Sequence, residues 1–320
     1  MPSVLLLGVG LVISFLVAAV TGASSVSVSM APAIGSNSIG VLRGAFFVGI
    51  VGFAGAVAQG AAVTRGVGTR IVSGAVTFQI GTVALVVIGL FVGLGIYLEH
   101  SIPVAFSTFG GVAGAGLAAG YRPNLEYWSI TLGSWVLSGI VAVGLAYGMV
   151  QLIRRYVPES DRADRTIDKA VLFAGIVFSF IGGGSQVGLA VGPLVGTVQE
   201  FGFGVLPLIA FGGLGIMVGA FTKSPVMLQA VGRQYASLGK RTSLAVLLTA
   251  IPMVQLIANV LGVPISYNHI IINSIAGCGF AGAGSGVDTR KYAGTLASWV
   301  VTLAGSTGVA YVLYSATKLA

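Results

Sequence analysis

The sequence predicts an all-α polytopic membrane protein, built as a two-fold internal repeat with broken helices and re-entrant hairpins. Three observations carry that reading: scarce charge, long uncharged blocks, and a register of matched residues between the two halves. Only 8% of the 320 residues are charged, 56% are hydrophobic and the mean hydropathy is +1.00. A soluble chain devotes about a quarter of its residues to Asp, Glu, Lys and Arg, so most of this surface faces lipid rather than water. The composition also excludes other classes. With one cysteine, Cys278, there is no disulfide scaffold, and with two histidines, His100 and His269, there is no zinc site. The sixteen basic residues form no run longer than two, so the net charge of +8 reads as loop charge and not as a nucleic-acid surface. No cofactor is implied.

A hydrocarbon core about 30 Å thick needs about 20 apolar helical residues. Cutting the chain at its charges gives blocks 3–35, 44–63, 71–98, 101–120 and 128–152, then 170–199, 203–222, 224–232, 242–262, 264–286 and 292–316. Val17, Ala18 and Ala19 resemble a signal-peptide cleavage region, yet no Lys or Arg precedes Arg43, so the first block reads as a retained span. At 1.5 Å per residue, blocks 3–35 and 170–199 would each run to about 45 to 50 Å as unbroken helices. They are therefore expected to break, at Thr21 and Gly22 in the first and at Gly182, Gly183 and Gly184 in the second. The hydrophilic stretch 153–169, with Arg154, Arg155, Arg162, Arg165 and Lys169 among four acids, reads as a linker between repeats 1–152 and 170–320. Its basic residues favour the cytoplasmic side.

The halves align. Gly22 and Gly183, Val26 and Val187, Pro32 and Pro193, Gly35 and Gly196, and Pro103 and Pro264 are each separated by 161 residues. Gly114 and Gly116 match Gly277 and Gly279 at 163, and Ser134, Trp135, Val136, Gly144, Ala146 and Tyr147 match their counterparts at 164. Proline, tryptophan and tyrosine are scarce here, which makes their shared register informative. Duplicated halves that each begin with a broken block are the pattern of secondary transporters, whose site lies where the broken elements meet near the midplane.

The first break, GASSVSVSMAPAIGS from Gly22, carries Ser24, Ser25, Ser27 and Ser29, and its counterpart from Gly182 carries Ser185 and Gln186. Helices that start inside a membrane present unpaired N–H groups and partial positive charge, which with hydroxyl donors can replace the water around an oxyanion. Small residues equally serve close helix packing, and both readings stand at this point. A second pair of segments follows Pro103, with Ser107 and Thr108, and Pro264, with Ser266, Tyr267, Asn268 and Asn273. They read as re-entrant hairpins, with ordinary spanning helices as the alternative. Ionisable groups inside spans are costly and functional by default. His269 is accordingly a candidate for site lining or proton transfer, whereas Glu200, Lys223 and the Glu99–His100 pair read as interfacial anchors.

These residues resemble the inorganic phosphate transporter family of sodium or proton symporters, whose halves each carry a G-A-N-D-V-A-N-A motif and, further on, a P-V-S-T-T-H hairpin. Gly22 to Ser29 matches the first motif, and Gly183 to Ala190 with Gly192 and Pro193 matches the second. Pro264, Ile265, Ser266 and His269, then Gly277 and Gly279, match the second hairpin, while Pro103, Ser107, Thr108 and Gly114 match the first loosely. The segments at Ser134–Trp135 and Ser298–Trp299 resemble the family's S-W segments. The chain departs at the motif's Asn-Asp positions, with Ser24 and Ser25 in one half and Ser185 and Gln186 in the other. Both acids that would help hold sodium are missing, which resembles the sulfate permease branch.

The resemblance implies a secondary active transporter of an inorganic tetrahedral oxyanion working by alternating access. Phosphate is its named substrate and sulfate the runner-up. Substrate-lining residues would be Ser24, Ser25, Ser107, Thr108, Ser185, Gln186, Ser266 and Asn268, with His269 as proton-coupling candidate and the coupling ion a proton or, less well supported by the residues, sodium. It also implies a multi-pass protein of the cell membrane whose two halves form an inverted repeat, with an odd number of crossings in each. A homodimer is an expectation on which the sequence is silent. An anion channel is the rival from another class. An enzyme is disfavoured, because no nucleophile–base pair, metal cluster or phosphate loop is present.

Overall fold

At membrane depth no water is available to backbone N–H and C=O groups, so each uncharged block satisfies them internally by forming helix. The computed structural model describes residues 4–97, 102–225, 228, 239–283 and 287–318. The first half comprises α1 (Val4–Ser24), a 3₁₀ segment (Val26–Met30), α2 (Ala31–Gly35), α3 (Val41–Gln59), α4 (Ala61–Thr69), α5 (Phe78–Tyr97), α6 (Val104–Ala118) and α7 (Leu125–Tyr156). The second comprises α8 (Asp161–Val191), a 3₁₀ turn (Gly192–Leu194), α9 (Val195–Glu200), α10 (Val205–Thr222), α11 (Lys240–Val254) with a π-helical continuation (Gln255–Val260), α12 (Tyr267–Phe280) and α13 (Thr289–Thr317). Among the described residues, eight helices are long and apolar enough to cross a membrane. The 15-residue α6 and 14-residue α12 are not. At 1.5 Å per residue they reach only about 20 Å.

Both long blocks break, but not at the expected residues. The first leaves α geometry over Val26–Met30, beyond Gly22, and α8 runs unbroken through Gly182, Gly183 and Gly184 to Val191. The irregular turns lie beside Pro32 and Pro193, the repeat-equivalent prolines, each of which removes a backbone donor. The glycines serve packing instead. A Cβ on Gly183 would collide with the Gly52 carbonyl of α3, and one on Gly22 with the Ile216 carbonyl of α10. Small residues thus let α8 close on α3 and α1 close on α10, so equivalent helices of the two halves pack crosswise.

The crosswise pattern continues. α6 packs on α13 and α12 on α7, so each short helix lies against the terminal helix of the other half. Arg154, at the end of α7, donates to the Ala281 and Gly282 carbonyls just beyond α12, at 3.0 Å each. Lys318, its repeat equivalent, donates to the Ala118 carbonyl at the end of α6 at 2.7 Å. A cation there satisfies the last carbonyls and the negative end of the helix dipole.

The polar stretch 153–169 is helical apart from residues 157–160. Ser160 accepts from the Ala163 N–H at 3.3 Å as the N-cap of α8, and Asp161 and Asp164 occupy its first turn. Large apolar side chains such as Val136, Ile140, Val300 and Val312 are exposed along α7 and α13, as lipid-facing surfaces require.

Gly183→Val is expected to destabilise the fold by at least about 1–3 kcal/mol, the usual cost of overpacking, seen as a lowered melting temperature in detergent. Gly144→Ala, at a position with open space around it, is expected to be neutral.

Candidate functional site

The interior is organised around the middle of α8. Gln186 donates its side-chain amide to the Ile265 carbonyl at 3.0 Å and to the Ser185 hydroxyl at 3.1 Å, fixing the extended segment ahead of α12. The Tyr267 hydroxyl donates to the Phe178 carbonyl at 2.6 Å, and its ring stacks on Phe178. The Thr108 hydroxyl of α6 donates to the Leu189 carbonyl at 3.3 Å. Ser14 of α1 donates to the Ala190 carbonyl at 3.0 Å. At Gly182, Tyr267 and Val26 of the first break both approach within van der Waals reach. One helix therefore gathers both short helices and the break of the other half.

Several hydrogen-bonding groups in this region have no partner: the hydroxyls of Ser25, Ser107 and Ser266, and the side-chain oxygens of Gln186 and Asn268. All five residues are buried. An unmet buried polar group costs about 1–3 kcal/mol, which makes these five side chains the candidates for contact with a polar ligand. α6 and α12 begin at Pro103 and Ser266 without a side-chain cap. Their first N–H groups add donors and partial positive charge at the same depth.

The structure separates the remaining expected residues from this set. The Ser24 hydroxyl donates back to Val20 at 2.8 Å, and Ser27 and Ser29 bond within their own turn, Ser29 also to Ser179 at 2.7 Å. His269 points elsewhere: its ring stacks on Trp299 with centroids 5.0 Å apart, and Gly139 leaves it room. There it borders a cavity of about 590 Å³ between α7, α12 and α13. Glu200 and Lys223 are exposed at helix ends, as interfacial anchors would be. Glu99 and His100 lie outside the described residues.

The sequence reading overlooked an amide cluster beside α8. Asn259, on the π-helical turn, donates to Gln59 at 2.7 Å, to Gln255 at 3.0 Å and to the Ile181 carbonyl at 3.2 Å. Three amides inside otherwise apolar blocks were the available signal. No group of three or more His, Cys, Asp or Glu suited to a metal occurs among the described residues.

Residues 21–310 match the phosphate transporter family. The chain belongs to that family. It is 28% identical to the sulfate permease CysP of Bacillus subtilis over 92% of this chain and 83% of that protein. It is 23% identical to a putative phosphate permease of Pyrococcus abyssi over 92% of this chain and 93% of that one. A solved structure described as the sodium-dependent phosphate transporter superimposes with a TM-score of 0.89 at 20% identity, covering 98% of this chain and 99% of the other. The protein is a multi-pass membrane transport protein and not an enzyme.

Ser25→Ala, Ser107→Ala and Ser266→Ala each remove an unpartnered group, so they are expected to leave thermal stability unchanged within about 0.5 kcal/mol or raise it slightly. Tyr267→Phe removes the buried bond to the Phe178 carbonyl and is expected to cost about 0.5–1.5 kcal/mol. Melting curves of the purified variants check the contrast.

Proposed function

We propose that the chain moves a tetrahedral oxyanion across the membrane by alternating access and takes sulfate in preference to phosphate. The observation that carries this reading is a buried cluster supplied with donors and holding no carboxylate: the Ser25, Ser107 and Ser266 hydroxyls beside two uncapped helix starts. A dianion accepts hydrogen bonds from such groups, and no fixed negative charge repels it. Sulfate has no proton to donate near neutral pH and needs no acidic acceptor. The likeness to a sulfate permease across most of the chain supports the same choice. Phosphate is the second reading, favoured by the unpartnered oxygens of Gln186 and Asn268, which can accept its P–OH proton.

Sodium coupling lacks support at the motif positions, where Ser24, Ser25, Ser185 and Gln186 offer only neutral ligands. Coupling to protons fits better. His269 is the proton-carrier candidate, since it alone among the buried polar residues of the described structure is a carboxylate, amine or imidazole.

The test is uptake of labelled sulfate and labelled phosphate into proteoliposomes, with sodium and proton gradients imposed separately. Sulfate is expected to accumulate faster than phosphate, driven by the proton gradient and indifferent to sodium. If neither anion accumulates or exchanges, the substrate assignment fails. Ser25→Asp combined with Gln186→Asp is expected to introduce sodium dependence, and unchanged coupling would contradict the correspondence of these residues to the family's Asn-Asp motif positions.

A further inference from the structure

The cavity bordered by His269 lies outside the hydroxyl cluster, between α7, α12 and α13. Its volume is about 590 Å³, that of a small-molecule site. The residues that line it fall within 132–143 of α7, 269–280 of α12 and 292–303 of α13. Gly139 faces the His269 ring, Gly277 lies against the Val143 carbonyl and Arg154 reaches the Ala281 carbonyl, so α7 and α12 point the same way. Tyr292 lies edge-on to Phe280 with centroids 6.3 Å apart, and Trp299 stacks on His269, so α13 runs the opposite way. At 1.5 Å per residue each stretch extends about 16 Å, the depth of one leaflet in a hydrocarbon core about 30 Å thick.

This groove is apolar along its length and basic at one end. Leu132, Val136, Ile140, Leu296 and Val300 form its walls, and Val136, Ile140 and Val300 are also exposed on the lipid-facing surface. The groove therefore opens sideways, to the bilayer. Where Phe280 and Tyr292 end it, cationic side chains follow. Arg154 is exposed and uses two of its five N–H groups on the Ala281 and Gly282 carbonyls. Arg290 and Lys291 are exposed in the first turn of α13. Asp288, which caps that helix by accepting from the Lys291 N–H at 3.0 Å, offsets one of these three charges.

We propose that the groove between α7, α12 and α13 binds an anionic phospholipid of the surrounding membrane, with one acyl chain in the groove and the phosphate on Arg154, Arg290 and Lys291. Length, polarity and charge all match. An acyl chain reaches from headgroup level to the midplane, which is the extent of the groove. Basic pockets between membrane helices take anionic headgroups in the same way. A second copy of the chain would need a projecting ridge to enter a recess of this size, whereas protein interfaces bury a broad area. Bound there, the lipid bridges α7 and α13 and lies along α12, whose start carries Ser266 and Asn268. The proposal stands whichever anion is carried.

The test reconstitutes the full chain in phosphatidylcholine vesicles that contain either phosphatidylcholine or phosphatidylglycerol brominated along the acyl chain. Bromine quenches tryptophan fluorescence on contact, and two of the three tryptophans, Trp135 and Trp299, line the groove. Brominated phosphatidylglycerol is expected to quench at about a twenty-fold lower mole fraction than brominated phosphatidylcholine, from about five-fold for each net basic residue. Arg290→Gln and Lys291→Gln are each expected to cut that preference about five-fold, and the pair to abolish it. Val136→Phe with Val300→Phe, which puts larger rings on the exposed rim, is expected to lower quenching by both lipids. If those rings impair folding, the glutamine variants, at exposed side chains, still decide the matter. Equal quenching by the two lipids, a preference unchanged in the double glutamine variant, or no quenching by either lipid, as when a second copy covers the groove, would overturn the proposal.

Discussion

The structure depends on a constraint of the bilayer: a polar group removed from water has to find its partner inside the protein. Most of the chain meets it by forming helix, and hydroxyls such as those of Ser24, Thr64 and Ser274 meet it by bonding one turn back. Among the exceptions are the buried hydroxyls of Ser25, Ser107 and Ser266, the last two at the uncapped starts of α6 and α12. Left unfilled, that arrangement is a sizeable cost. Filled by an oxyanion, it becomes a site in which hydroxyls and backbone donors stand in for a hydration shell.

Duplication explains how one chain can hold such a site without fixed charge. α1 closes on α10 and α8 on α3 through glycines, while α6 leans on α13 and α12 on α7. Each short helix packs both against its own half, on α5 or α11, and against the terminal helix of the other. The caps at Arg154 and Lys318 follow the same crossing, so the C-terminal end of each short helix is fastened to the other half.

Much of this was legible in the sequence because membrane helices are written in composition and length. Eight of the blocks cut at charges hold the spans, 101–120 and 264–286 hold the two short helices, and most of 224–232 lies outside the described residues; the prolines at 161-residue separation mark the turns of both broken blocks. The glycines misled because a glycine inside a helix signals either a break or a close approach. Gly182, Gly183 and Gly184 meet α3 and Gly22 meets α10, contacts that only the fold supplies. The candidate site was legible in part. Ser25, Ser107, Gln186, Ser266 and Asn268 are each buried with a polar atom that has no partner, whereas Ser24 bonds back to its helix and His269 turns towards Trp299, because adjacent positions on a helix point in different directions. The π-helical turn and its amides had no periodicity to announce them.

The central claim is that serine hydroxyls and helix starts of both halves together hold one tetrahedral anion. Selenate has the shape and charge of sulfate and scatters anomalously, so diffraction from crystals grown with it locates the anion directly. The account predicts a single strong peak within about 3 Å of the Ser25, Ser107 and Ser266 oxygens. A peak elsewhere, with those hydroxyls still unoccupied at saturating selenate, would contradict it.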